Sequence, residues 1–239
     1  MSGLPGHEIR RLRAVAPDEA GLASLVARRL AGEPLQYLEG TAPFGPFDLL
    51  VDERVLIPRP ETERLWELAS GLVTAPRVVV DLCTGSGALA IGLASDHPEA
   101  RVIGTDVSEA ALEVARINGA ALAPGVEWRL GDLFDALPAE LIGSIDLLVS
   151  NPPYVAAIEW TRLPEDVRRE PRTALVAGPS GLEVIRRIAT ESSAWLAPGG
   201  VVVCEIGETQ AADVVSMFDR SVRVVQDLAG RDRYVVAGT

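Results

Sequence analysis

The tetrapeptide Asn151-Pro152-Pro153-Tyr154 closes an apolar run from Ile145 to Ser150 and has the makings of a grip for a planar nitrogen. Two successive prolines fix φ and remove two backbone donors, so the carbonyls there are stiffly held acceptors. The Asn151 side-chain oxygen and the Pro152 carbonyl can each accept one hydrogen of an NH2 group, while Tyr154 presents an aromatic face to a planar substrate. An amide or exocyclic amine nitrogen is a poor nucleophile because its lone pair is delocalised. Holding both hydrogens orients the group and favours charge developing at nitrogen as an electrophilic carbon arrives, which is transition-state stabilisation by fixed dipoles. No base is needed beforehand, because the alkylated nitrogen becomes acidic and sheds its proton afterwards. The plain structural alternative is a proline-rich turn capping a strand.

A second constellation lies upstream. Val78 to Leu82 is an apolar strand that runs through Cys83-Thr84-Gly85-Ser86-Gly87 into a helix opening at Ala88. Glycines let the backbone approach a ligand closely, and a helix N-terminus presents free N–H groups, so this loop suits a nucleoside-containing cofactor. A lone Gly-x-Gly also fits an ordinary strand-to-helix turn. The next strand ends at Asp106, about 20 residues beyond the glycines, where a carboxylate can accept hydrogen bonds from two ribose hydroxyls. Asp106 could instead cap the following helix, yet Ser108, with Glu109 in the first turn, already supplies a cap. Gly131-Asp132-Leu133-Phe134 follows a third strand. Asp132 could meet an adenine amino group and Leu133 or Phe134 could cover its ring, or they could be a loop carboxylate and core residues. Ala90 stands where a dinucleotide fingerprint tolerates alanine, so spacing alone leaves NAD open.

The elements that must position these groups are legible as periodicities. Strand-like runs at Val78 to Leu82, Arg101 to Thr105, Val126 to Leu130, Ile145 to Val149 and Val201 to Ile206 alternate with helical stretches at Ala88 to Ser95, Glu109 to Asn118 and Leu182 to Leu196. Buried strands joined by crossover helices predict a parallel sheet covered on both faces. Val222 to Gln226 and Tyr234 to Ala237, joined by a turn around Gly230, predict an antiparallel pair at one edge. Before the sheet, an amphipathic helix is expected from Ala20 to Leu30, preceded by a fragment too small to fold alone. A β-hairpin or irregular connector is expected from Gly40 to Pro60, and another helix beyond Glu61.

The 239 residues fit one α/β domain with a small appendage, and 48% apolar content supplies its core. A net charge of −12 opposes a broad nonspecific grip on nucleic acid or an anionic membrane. All the basic side chains other than the two histidines are arginine, to which no functional weight attaches. Cys83 and Cys204 show neither metal-ligand nor disulfide spacing, which points to a reduced, cytoplasmic setting. No signal peptide or membrane-spanning run is evident.

These residues together resemble the protein N5-glutamine methyltransferases that modify the Gly-Gly-Gln glutamine of peptide-chain release factors. The likeness also rests on Pro34 to Gly40, Val55-Leu56-Ile57-Pro58-Arg59-Pro60-Glu61-Thr62-Glu63, Glu170-Pro171-Arg172-Thr173-Ala174-Leu175, Gly181-Leu182, Pro198-Gly199-Gly200, Glu205-Ile206-Gly207 and Asp227 to Arg233, and so covers about residues 31 to 237. It implies the class I fold of methyltransferases dependent on S-adenosylmethionine (SAM), an α/β, Rossmann-like, doubly wound seven-stranded sheet with its last strand antiparallel. It implies SAM rather than NAD, giving S-adenosylhomocysteine, with no metal. Cofactor contacts fall on Cys83, Thr84, Gly85, Ser86, Gly87, Asp106, Asp132, Leu133 and Asn151. Substrate contacts fall on Asn151, Pro152, Pro153 and Tyr154, with Asn151, Pro152 and Tyr154 catalytic. Arg59, Pro60 and Glu61 are expected to line the same pocket, although an arginine paired with a nearby carboxylate is an equally good structural reading. The implied division is a short N-terminal helical segment (1–33), a connector with the hairpin (34–60) and the methyltransferase domain (61–239).

Two departures from the family stand out. Cys83 replaces the usual glycine, and the helical region ahead of the connector is shorter than the family's, which bears on docking of the release factor. The implied partner is a release factor, without nucleic acid or membrane, and a monomer is favoured. The rivals are an adenine-N6 or cytosine-N4 methyltransferase, which shares a similar tetrapeptide, and a catalytically silent SAM-binding protein. The acidic charge and the lack of a target-recognition domain oppose the first. The intact Asn151, Pro152 and Tyr154 oppose the second.

Overall fold

The structure is a computed structural model that describes residues 3–238. The chain begins with three helices, α1 (Gly6–Val15), α2 (Glu19–Leu30) and α3 (Leu35–Glu39), whose buried Leu12, Leu22, Leu35 and Leu38 form one small cluster. The Asp18 side chain caps α2 by accepting from the Gly21 N–H at 2.7 Å. The α1 helix is a departure from the sequence expectation, which left its residues without an element. Half of its ten residues are His, Glu or Arg and only Leu12 is buried, too thin an apolar stripe to stand out as a period.

The expected hairpin is present as β1 (Thr41–Phe44) and β2 (Phe47–Leu50), paired antiparallel. Helix α4 (Pro60–Ser70) then starts with Pro60 in its first turn, where the missing N–H costs nothing, and with Glu61 and Glu63 against the positive end of the helix dipole.

The central sheet follows, with β3 (Val78–Leu82), α5 (Ala88–Asp96), β4 (Arg101–Asp106), α6 (Glu109–Leu122), β5 (Glu127–Leu130) and β6 (Ile145–Ser150). A short parallel pair, β7 (Val155–Ala156) and β8 (Val176–Gly178), flanks α7 (Arg172–Leu175). The chain closes with α8 (Glu183–Trp195), β9 (Leu196–Glu205), α9 (Ala211–Val215), β10 (Ser221–Gln226) and β11 (Asp232–Gly238). The seven strands lie in the order β10-β11-β9-β6-β3-β4-β5, and β11, last in the chain, runs antiparallel to both its neighbours. Strand β9 starts earlier than the sequence suggested: Leu196 already pairs with Ile145, and Ala197-Pro198-Gly199-Gly200, which carries no apolar period, bulges with Gly199 at φ 81 before pairing resumes at Val201. The β7–β8 pair was not foreseen, being too short to show alternation.

Side chains alternate across the sheet. Val80, Leu82, Ile103, Leu148 and Val202 face one core with Ile185 and Ile188 of α8, while Val79, Val102, Leu147 and Val203 face the other with Leu65 of α4 and Ile91 of α5. After β5 the chain crosses back over β3 to β6, so the strand order reverses between β3 and β6. Ligands bind at such a point, beyond the carboxyl ends of the strands. The register Leu82↔Ser150 therefore brings the glycine loop and Asn151 to one edge. Among the described residues no helix is long and apolar enough to cross a membrane.

Candidate active site

The loop after β3 is held from beneath by Asp81. This fully buried carboxylate accepts from Thr84 Oγ1 at 2.5 Å and from the Ala90 N–H at 3.2 Å, tying the loop to the first turn of α5. Burial pushes the Asp81 pKa up to about 7, and the Thr84 and Ala90 hydrogen bonds oppose that rise. Three residues of the loop take left-handed backbone: Cys83 at φ 61, Gly85 at φ 56 and Gly87 at φ 87. A Cβ built on Gly85 would meet nothing within 4 Å, so the glycine leaves open space for a ligand to approach the backbone. At the end of β4 the Asp106 carboxylate accepts from the Gly85 N–H and the Ser108 N–H, each at 2.9 Å. A carboxylate offers about four lone-pair sites, so acceptor capacity remains for hydroxyls. The cap of α6 is Ser108, as its position suggested.

Beyond β6 the clamp is held by side chains from distant elements. Asn151 Nδ2 donates to Thr62 Oγ1 at 3.0 Å, and Thr62 Oγ1 donates to Glu205 Oε2 at 3.1 Å. The Tyr154 hydroxyl donates to Glu205 Oε1 at 3.4 Å, a long contact. Gln210 Nε2 donates to the carbonyls of Tyr154 at 2.9 Å and Gly181 at 3.2 Å, while Gln210 Oε1 accepts from the Gly207 N–H at 2.8 Å. Among the described residues neither Asn151 Oδ1 nor the Pro152 carbonyl has a hydrogen-bond donor, so both acceptors are free. Burial, with the charge of Glu205, holds the Tyr154 phenol protonated well above its usual range.

Between loop and clamp lies a cleft of about 520 Å³, lined among others by Val55, Leu56, Cys83, Gly85, Asp106, Val107, Ser108, Asn151 and Pro153. It adjoins a second space of about 370 Å³ that shares Leu56, Cys83, Gly85 and Asn151 and adds Pro58, Thr62, Thr84 and Ser86. The open face of Gly85 and the Asp106 carboxylate suit a ligand that carries a ribose, and the free acceptors at Asn151 and Pro152 suit an NH2 group. Among the described residues no cluster of His, Cys, Asp and Glu is arranged to hold a metal ion.

A methyltransferase small domain model matches residues 67–237. The chain is 46% identical over 236 residues to the release factor glutamine methyltransferase of Mycolicibacterium smegmatis, an alignment spanning 92% of this chain and 81% of that protein. It is likewise 46% identical over 221 residues to the release factor glutamine methyltransferase of Chlorobaculum tepidum, spanning 86% of this chain and 74% of that one. The chain belongs to the release factor glutamine methyltransferase family. In fold it is similar to a methyltransferase from Pyrococcus furiosus, with a TM-score of 0.61 at 18% identity, covering 90% of this chain and 98% of that one.

The family resemblance expected several residues at the pocket that do not line the cleft. Arg59 is ion-paired with Glu170, the structural reading of that arginine, while Pro60 and Glu61 line a separate depression with Arg64, Leu228 and Arg231. From that stretch it is Leu56, Pro58 and Thr62 that reach the cleft. Asp132 accepts from Arg187 Nη1 at 2.7 Å, and Leu133 and Phe134 are buried in the core, with Phe134 stacked on Trp195. Tyr154 lines a neighbouring groove with Arg162, Gln210 and Arg233. Reasoning from spacing overlooked Asp81, Thr62, Glu205 and Gln210 as supports of a release factor glutamine methyltransferase site. Asp81 and Glu205 carried a local signal, each a carboxylate inside an otherwise apolar run.

Proposed function

We propose that this chain transfers the methyl group of SAM to the side-chain amide nitrogen (N5) of a protein glutamine, namely that of the Gly-Gly-Gln motif in a peptide-chain release factor. One observation carries the reading: Asn151 Oδ1 and the Pro152 carbonyl next to it in the chain have no hydrogen-bond donor among the described residues, and Asn151 lines the cleft together with the ribose-suited Gly85 and Asp106. The names of the relatives from Mycolicibacterium smegmatis and Chlorobaculum tepidum favour a release factor as the methylated protein.

SAM brings an electrophilic methyl on a sulfonium, so the protein's task is to place the acceptor nitrogen and favour charge on it. We assign cofactor contact to the loop Cys83, Thr84, Gly85, Ser86 and Gly87, to Asp106 for the ribose hydroxyls, and to Asn151. Asp132 and Leu133 keep their expected place at the adenine: the Asp132 side chain is paired with Arg187 but still half exposed, and Leu133 follows it with left-handed backbone at φ 52. Asn151 Oδ1 and the Pro152 carbonyl each accept one amide hydrogen, which aligns the nitrogen and stabilises charge developing on it. Pro153 walls the acceptor site, and Tyr154 closes it from the adjoining groove, where the planar amide would meet its ring. The proton left on the methylated nitrogen is acidic and passes to water. Residues 1–33, 34–60 and 61–239 serve as helical segment, connector and catalytic domain, and the setting is the cytoplasm, where translation terminates.

Labelled SAM supplied with either a release factor or duplex DNA tests the substrate. Label on the release-factor glutamine is the expected result, and label on DNA alone would overturn it. Asn151→Ala should leave cofactor binding within a few-fold while lowering kcat by about 100-fold or more, as for loss of a transition-state contact. Unchanged turnover would remove the clamp from the mechanism.

A further inference from the structure

The Asn151 carboxamide has two ends of nearly equal shape and opposite chemistry. Only its oxygen can receive a hydrogen from a substrate NH2; its own NH2 in that place would set donor against donor. A clamp built on asparagine therefore needs something that decides which way the amide is turned. In this chain the deciding contact is Thr62. Its single hydroxyl hydrogen goes to Glu205 Oε2 at 3.1 Å, which leaves a lone pair facing Asn151, and Asn151 Nδ2 fills it at 3.0 Å. The turned-over amide would point Oδ1 at an oxygen lone pair whose only proton is committed elsewhere. Thr62 and Glu205 are 5% and 2% exposed, so bulk water is poorly placed to substitute for either partner.

We infer that Thr62 and Glu205 are positioning residues that fix the flip state of the Asn151 carboxamide, so that its oxygen is the atom presented to the substrate nitrogen. This inference rests on the reading of Asn151 as the amide clamp. Glu205 also receives the Tyr154 hydroxyl at 3.4 Å, so one buried carboxylate steadies both ends of the tetrapeptide.

The relay has a direction only while Glu205 is an acceptor. The groups facing it are Thr62 and Glu61 of α4, Tyr154 of the clamp, and Arg233 and Tyr234 of β11. Burial raises its pKa to about 7; the Thr62 hydrogen bond and the Arg233 charge oppose the rise, and the Glu61 charge adds to it. Once protonated, the carboxyl can itself donate to Thr62, whose hydroxyl hydrogen is then free to turn toward Asn151. The amide then loses its bias as the pH falls through about 7.

The test follows the Asn151 side-chain NH2 by 15N NMR alongside single-turnover methyl transfer to release factor, in the wild type, Thr62→Ser and the near-isosteric Thr62→Val. The expected result is a hydrogen-bonded, exchange-protected Asn151 NH2 signal in the wild type and Thr62→Ser that is lost in Thr62→Val. Transfer in Thr62→Val should fall about 10- to 100-fold, the scale of a misplaced reacting group, with the dissociation constant for S-adenosylhomocysteine within about 2-fold. Independently of that variant's folding, lowering the pH from 8 to 6 should shift the wild-type Asn151 signals, and Glu205→Gln should abolish the shift. Asn151 signals that match in the wild type and Thr62→Val, or that ignore pH in the wild type, would overturn the inference. Protected signals with no transfer by the wild type would instead sink the release-factor reading and leave the positioning role standing.

Discussion

Cys83 sits at φ 61, in the left-handed region where an L side chain costs about 1–2 kcal/mol. That conformation favours glycine, which agrees with the glycine that the family resemblance led us to expect at this position. Cys83→Gly relieves the strain but frees the unfolded chain and gives up the packing of the sulfur, so the net gain should be about 0.5–1 kcal/mol. A higher urea midpoint for Cys83→Gly at equal slope would bear this out; a lower one would refute it. Beneath it, burial raises the Asp81 pKa from the ordinary carboxylate value of 3.8 to about 7. The native state therefore holds that proton more tightly than the unfolded state. Its favourable contribution is complete below about pH 4 and is lost as the pH rises through about 7. Urea midpoints between those limits should fall less steeply with pH in Asp81→Asn than in the wild type.

At the scale of elements, the site depends on how closely β4, β5 and α6 approach one another. The Trp128 indole of β5 lies over Gly87, Gly104 and Gly119, and a Cβ on any of the three would come within 2.7 Å of it. The strand and helix periods were visible without this contact, but the reason for glycine in the middle of β4 was not. Gly104→Ala should cost about 1–3 kcal/mol by overpacking and shift tryptophan fluorescence, both readable in one denaturation series. A midpoint unchanged from wild type would mean that Trp128 has room to move. The same limit on reading elements from sequence explains α1, where a lone buried Leu12 among polar residues fixes a helix by docking rather than by propensity.

Across the whole molecule, Glu170 fastens the connector to the segment ahead of α7. It is 4% exposed, accepts from the Ile57 N–H at 2.9 Å and pairs with Arg59, holding Leu56 and Pro58 at the cleft. Its pKa is raised by burial, with the Arg59 charge opposing the rise. Glu170→Ala leaves a backbone donor and an arginine without their partner. It should cost about 2–4 kcal/mol, at the lower end because Arg59 is partly exposed. Hydrogen exchange should quicken across residues 52–60 in that variant while β3 and β6 stay protected. Uniform exchange throughout the chain would count against a local fastening role.

The sequence by itself determined the alternation of strands and helices, the antiparallel edge pair, the hairpin, and the loop and tetrapeptide that we propose carry the chemistry. All of these are written in spacings of a few residues, where backbone conformation and side-chain period act locally. Only the tertiary structure decided what supports them. Thr62 and Glu205 are 143 positions apart, Thr62 and Asn151 are 89 apart, and Arg59 meets Glu170 across 111. Such contacts follow from strand order, register and the seating of α4 against the sheet, which no local pattern encodes. That is why Arg59, Pro60 and Glu61 looked like the pocket, while Thr62, one position further around the same helix, is the residue that reaches it.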